Sequence, residues 1–175
     1  MIDKSAVIEV ENEFRELFVD LSSIQDTIRQ KLVKYADGKT LKGNELVGWL
    51  GEIYGKMLLG GHLVDDREEH DVETADSLKV SVKARKGWNS GWKQTSAIPK
   101  IEGDNCPTHL LFVHLDDDFS IDRMWLYEWD YLFQNGRFKS HVVRGSHRSY
   151  IFTVDDRKDK KFEIFHGTAN HRVVR

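Results

Sequence analysis

Asp71-Val72-Glu73-Thr74 and Lys79-Val80-Ser81-Val82-Lys83-Ala84 read as two short strands that turn through Ala75-Asp76-Ser77. Alternation in the second run puts Val80 and Val82 on one face and Ser81 and Lys83 on the other, the pattern of a strand with one face against a core. Upstream the periodicity is helical. A helix is expected from about Lys42 to Leu59, stopped by Gly60-Gly61, with an apolar stripe of Leu46, Leu50, Ile53, Tyr54, Met57 and Leu58. Gly48, Gly51 and Gly55 stand on roughly the opposite side. Each interior glycine costs about 1 kcal/mol relative to alanine, so three of them point to a helix packed closely on two sides.

Further toward the N-terminus, Phe14, Leu17, Phe18 and Leu21 recur at helical spacing, and Ile24, Ile28, Leu32 and Val33 resume it. The pattern predicts two helices interrupted at Ser22-Ser23, the second closed by Asp37-Gly38. Downstream, His109 to Leu115 is a continuous apolar run suited to a buried strand. Ile121 to Leu126 is expected to pair back beside it after the acidic turn Asp116-Asp117-Asp118. Glu128 to Phe133 reads as a short helix ended by Asn135-Gly136, with late strands at Tyr150 to Val154 and Phe162 to Phe165. Helices followed by a mixed sheet with a returning helix give an α/β or α+β class, and α/β is the expectation. With no repeat or linker, the 175 residues are expected to form one domain: a helical region 1–40, a core 42–135 and basic strands 136–175.

Composition excludes several classes. Hydrophobic residues make up 39% and charged residues 31%, with only 2 prolines, so neither a disordered nor a collagenous chain fits. Cys106 stands alone and can form no internal disulfide, and no apolar run follows a basic start, so the reducing cytoplasm is the expected compartment. No stretch approaches the roughly 20 apolar residues that span a bilayer. Net charge is −3, yet its distribution is uneven. Seven acids lie between Asp65 and Asp76 against Arg67 alone, six bases and no acid lie between Lys79 and Lys100, and ten Lys or Arg face four acids from Arg137 to Arg175. Either basic region suits phosphate.

The residues able to carry chemistry cluster around the opening pair of strands. Across a hairpin, Asp71 and Lys83 can do paired work, the carboxylate holding a hard cation and the ammonium holding or polarising a water. Taken singly, Lys83 reads as a snorkelling surface lysine and Glu52, beside the glycine face of its helix, as a solvated glutamate. Downstream, Arg85 and Lys86 suit phosphate. Trp88, Trp92, Lys93 and Gln94 belong to a Gly-containing loop that reads equally well as a mobile strip along a nucleic-acid backbone, its indoles stacking on bases, or as a core anchor with tryptophans at i and i+4. The histidines have no ligand spacing and no accompanying cysteine pair.

In order, Gly51-Glu52 on a helix, Asp71, then Val80-Ser81-Val82-Lys83 resemble the PD-(D/E)XK nuclease superfamily, the fold of many restriction endonucleases. The resemblance covers about Gly48 to Ile101. It implies a restriction-endonuclease-like mixed sheet flanked by helices and Mg²⁺-dependent hydrolysis of DNA phosphodiesters, as type II restriction cleavage by a homodimer. It assigns the metal to Asp71, Glu52 and the main-chain carbonyl of Val82, with Lys83 as the catalytic lysine. Ser81 stands where the family usually has Glu, Asp or Gln. A hydroxyl is a poorer ligand than a carboxylate, which keeps a second reading open: a nuclease-like fold that grips nucleic acid or a partner without cleaving.

Overall fold

The structure, a computed structural model, describes residues 3–33, 45–64, 68–89, 91–95 and 97–167. Helix α1 spans Lys4–Val33 and is capped by Asp3, whose Oδ1 accepts from the backbone N–H groups of Ser5 (3.1 Å) and Ala6 (3.2 Å). It runs unbroken through Ser22-Ser23, against the expected interruption. Ser22 Oγ donates to the carbonyl of Asp117 at 2.8 Å and so does not compete with its own turn, while Thr27 Oγ1 donates to the carbonyl of Ser23 at 2.9 Å. The expected stop at Asp37-Gly38 and the start at Lys42 lie outside the described residues. Helix α2 is Glu45–Leu59.

Among the described residues eight strands follow: β1 (Gly61–Leu63), β2 (Val72–Thr74), β3 (Lys79–Lys86), β4 (His109–Leu115), β5 (Ile121–Glu128), β6 (Lys139–Val143), β7 (Ser146–Ile151) and β8 (Glu163–His166). Helix α3 (Trp129–Gln134) lies between β5 and β6. Six strands form one sheet in the order β1-β2-β3-β4-β5-β8, and β6-β7 form a separate ribbon. Within the large sheet β3 and β4 run parallel and every other neighbouring pair is antiparallel, a mixed α/β architecture. Strand β4 is buried on both faces, which is why its sequence is apolar without alternation. Leu111, Val113 and Leu115 meet the core under α1 and α2; Leu110 and Phe112 meet a second core with Trp125, Tyr127, Trp129 and Phe152. No helix among the described residues is long and apolar enough to cross a membrane.

Helix α2 buries Leu50, Tyr54 and Leu58 as its stripe requires, whereas Ile53 is exposed. Its glycines bring the helix backbone onto the sheet. A Cβ at Gly51 would meet Ala84 Cβ at 2.5 Å, and one at Gly55 would meet Leu111 Cδ2 at 2.8 Å; at Gly48 no described atom lies within 4 Å. Gly51→Ala is therefore expected to destabilise the protein by about 1–3 kcal/mol through overpacking, despite alanine's better helix propensity. Gly48→Ala should stabilise it by about 0.5–1 kcal/mol. Urea unfolding of the two variants reads the opposite signs.

Candidate active site

Strand β2 reaches β3 only through Val72 opposite Val80 and Glu73 opposite Lys79. Just before it, Asp71 continues the ladder in two ways. Its N–H donates to the Val80 carbonyl at 2.9 Å, and its Oδ2 accepts from the Val82 N–H at 2.5 Å, so the carboxylate replaces the next strand carbonyl. Ser81 Oγ also donates to Oδ2, at 3.4 Å. Residues two apart on a strand send their backbone groups the same way, so the Val82 carbonyl lies on the Asp71 side, where β2 has already ended.

Side-chain alternation places Ser81 and Lys83 opposite the face that carries α2. Together with Asp71 they line a pocket of about 120 Å³ whose other walls include Glu68, Glu69, Lys100, Pro107 and Trp129. Among the described residues Lys83 makes no hydrogen bond or ion pair, whereas Lys100 stands 3.6 Å from Glu69 and donates to the Asp104 carbonyl at 2.7 Å. The pocket shares Pro107 and Trp129 with a larger cavity of about 590 Å³ that is lined by Glu102, Glu128 and Asp130 and by neither Lys nor Arg.

Glu52 is not among the residues lining this pocket. Helix α2 packs through Gly51 and Gly55 on Val82 and Ala84, the face opposite Lys83, so strand β3 lies between the helix and the pocket. The expected convergence of Glu52, Asp71 and Lys83 reduces to Asp71 and Lys83 with Ser81. Glu73 is turned to His70, at 3.6 Å. The donors present do fit a hard cation. Asp71 Oδ1 accepts no hydrogen bond among the described residues, the Val82 carbonyl is on the same side, and Glu68 and Glu69 share the pocket. No group of three His, Cys, Asp or Glu side chains suited to a metal occurs among the described residues. This set suits an ion that keeps several waters and takes its remaining oxygens from a substrate, as Mg²⁺ does.

The described residues of the loop after β3 make several internal contacts. Arg85 Nε donates to the Gln94 carbonyl at 2.7 Å, and Gln94 forms a bridge to Thr153. Lys93 pairs with Asp156 at 2.6 Å, and Lys86 lies 3.7 Å from the Phe119 ring centre. Trp92 lies against buried His114 with ring centres 4.1 Å apart, and Trp88 meets the same ring edge-on at 4.7 Å while donating from Nε1 to Asp116. His114 is held in turn by Asp122 at 2.8 Å and the Gly87 carbonyl at 3.0 Å. Burial pushes the Asp122 carboxyl up, but hydrogen bonds from His114 and Arg123 outweigh it and hold the group below its ordinary range. Arg85, Lys93 and Trp92 thus have internal work, and Trp88, 41% exposed, is the indole open to solvent.

Sequence reasoning missed Glu68, Glu69 and Lys100. The only signal was the acidic block running into the basic one; which of those charges face Asp71 depends on a chain reversal that no local pattern encodes. No protein-family model matches the chain, and no curated protein matches it significantly.

Proposed function

We propose that the protein is a Mg²⁺-dependent endodeoxyribonuclease of the PD-(D/E)XK, restriction-endonuclease-like type, working in the cytoplasm as a homodimer with one site for each DNA strand. The observation that carries this reading is the shared pocket of Asp71, Ser81 and Lys83 at the place where the β2–β3 ladder opens. The order of helix α2, the Asp71 strand and the Lys83 strand within a mixed sheet supports it further.

Asp71 and the Val82 carbonyl would hold Mg²⁺, with Glu68 or Glu69 taking the place that the family resemblance gave to Glu52. Bound there, the ion supplies positive charge against a non-bridging phosphate oxygen. Lys83, uncommitted among the described residues, orients the attacking water or stabilises the negative charge that builds on the phosphoryl oxygens. Ser81 fixes the Asp71 carboxylate by donating to it, a positioning role available to a hydroxyl and closed to an ionised acid.

That same serine favours the second reading, a non-cleaving nucleic-acid-binding module, because it removes a carboxylate from the site. Digestion of a mixed DNA library with and without Mg²⁺, followed by sequencing of the ends, decides between them. Metal-dependent cutting is expected. Salt-sensitive binding with no metal-dependent turnover would establish the module instead.

A further inference from the structure

Strands β6 and β7 stand apart from the main sheet as a two-stranded ribbon. All five residues of β6 are exposed, as are Ser146, His147 and Arg148 of β7. Arg144 and Gly145 turn the ribbon with φ of 50° and 80°, the pair of positive values of a tight hairpin turn. Residues 138–154 contain Lys139, Arg144 and Arg148 but no Asp or Glu. None of those three cations is paired among the described residues. Pairing of His141 with Ser149 and of Val142 with His147 leaves Arg148 as the extra residue of a bulge, a device that re-aims a side chain.

The ribbon is also firmly based. Ile98 and Tyr150 exchange backbone hydrogen bonds of 2.8 and 2.7 Å, Thr95 N–H donates to Phe152 at 2.8 Å, and Arg137, just before β6, donates to the Thr153 carbonyl just after β7 at 3.2 Å. Ile98 is itself a wall of the Asp71–Lys83 pocket. One segment therefore joins the root of the ribbon to the candidate active site.

We propose that this ribbon enters the major groove of duplex DNA and seats the duplex on the Asp71–Lys83 pocket. The proposal rests on the nuclease reading for the nature of the ligand. Tyr150 lies five residue steps from the Gly145 tip, a reach of roughly 17 Å. The B-form major groove, roughly 12 Å wide, admits a two-stranded ribbon, whereas the A-form groove of RNA is too narrow. Lys139, Arg144 and Arg148 offer donors to phosphates and guanine edges, and the exposed Val142 and Val143 offer apolar contact to thymine methyl groups.

The test uses Lys83→Ala protein without Mg²⁺, so that no cleavage intervenes, and a random-sequence DNA duplex pool followed by fluorescence anisotropy over a range of salt. Adding Lys139→Ala, Arg144→Ala and Arg148→Ala should weaken binding at least about tenfold and flatten the logarithmic salt slope by about 2–3. Arg144→Lys with Arg148→Lys should restore much of the affinity but not the interference from guanine N7 methylation seen with the parent. Unchanged affinity in the triple variant, equal affinity for double-stranded RNA, or no duplex binding by the parent overturns the proposal. In protein that keeps Lys83, Mg²⁺-dependent cutting that persists at the full rate without the three cations overturns the ribbon and spares the nuclease; ribbon-dependent binding with no Mg²⁺-dependent cutting by that Lys83 protein does the reverse.

Discussion

Lys83→Ala is expected to lower Mg²⁺-dependent plasmid cleavage by about 10²–10⁴-fold, the range for removing a group that handles a proton or a developing charge. Its amine has no partner among the described residues, so truncation strands no acceptor and the unfolding transition should stay where it is. Asp71→Asn tests the other half. The amide oxygen can still accept from the Val82 N–H, keeping the local ladder, while the negative charge that would hold the cation is gone. Cleavage should fall by a comparable factor with circular dichroism unchanged. Glu52→Gln, on the far side of β3, should cut within a few fold of the parent. Undiminished cleavage by both Lys83→Ala and Asp71→Asn would remove the site.

The largest structural effect is expected at Asp159, which is fully buried. Its carboxylate accepts from Arg137 Nη1 (2.9 Å) and Nη2 (2.8 Å), from the Tyr127 hydroxyl (3.1 Å) and from the Asp155 N–H (2.8 Å). The hydrogen bonds to Asp159 raise Arg137 above its ordinary value, and burial, then the Asp159 charge, push the Tyr127 hydroxyl far up, so both stay protonated. Asp159→Ala leaves a guanidinium and a buried hydroxyl facing empty space. The cost should be about 3–5 kcal/mol, a Tm lower by roughly 6–20 °C in a thermal scan. A shift under a degree would show that the pair contributes nothing net.

Legibility in the sequence followed burial. Strand β4 announced itself because both of its faces are covered by apolar neighbours, and β3 because Val80 and Val82 alternate with the polar Ser81 and Lys83, so the apolar periods 1 and 2 are written into the residues. Helix α2 was readable from its stripe, but the side on which Glu52 lies was not. That depends on whether Gly51 and Gly55 meet the same face of β3 that Lys83 occupies, and they meet the other. Of the β6–β7 ribbon only the end was legible, Tyr150 and Ile151 at the head of the strand expected over Tyr150 to Val154; the exposed remainder left no periodic trace. Asp71 with Lys83 was legible only as a spacing shared by many charged chains. The hydrogen bond from Val82 to Asp71 is what gives that spacing a geometry.

Past Val80, strand β3 has a sheet neighbour on one side only among the described residues. Bare backbone of this kind is a template on which another copy's strand can add, the first step of edge-to-edge aggregation. Asp71 plugs the first vacant donor, and Lys83 sets a charge beside the opening. The two groups assigned to chemistry would then also guard solubility, so removing both at once should leave a chain that self-associates during concentration even where its fold is intact.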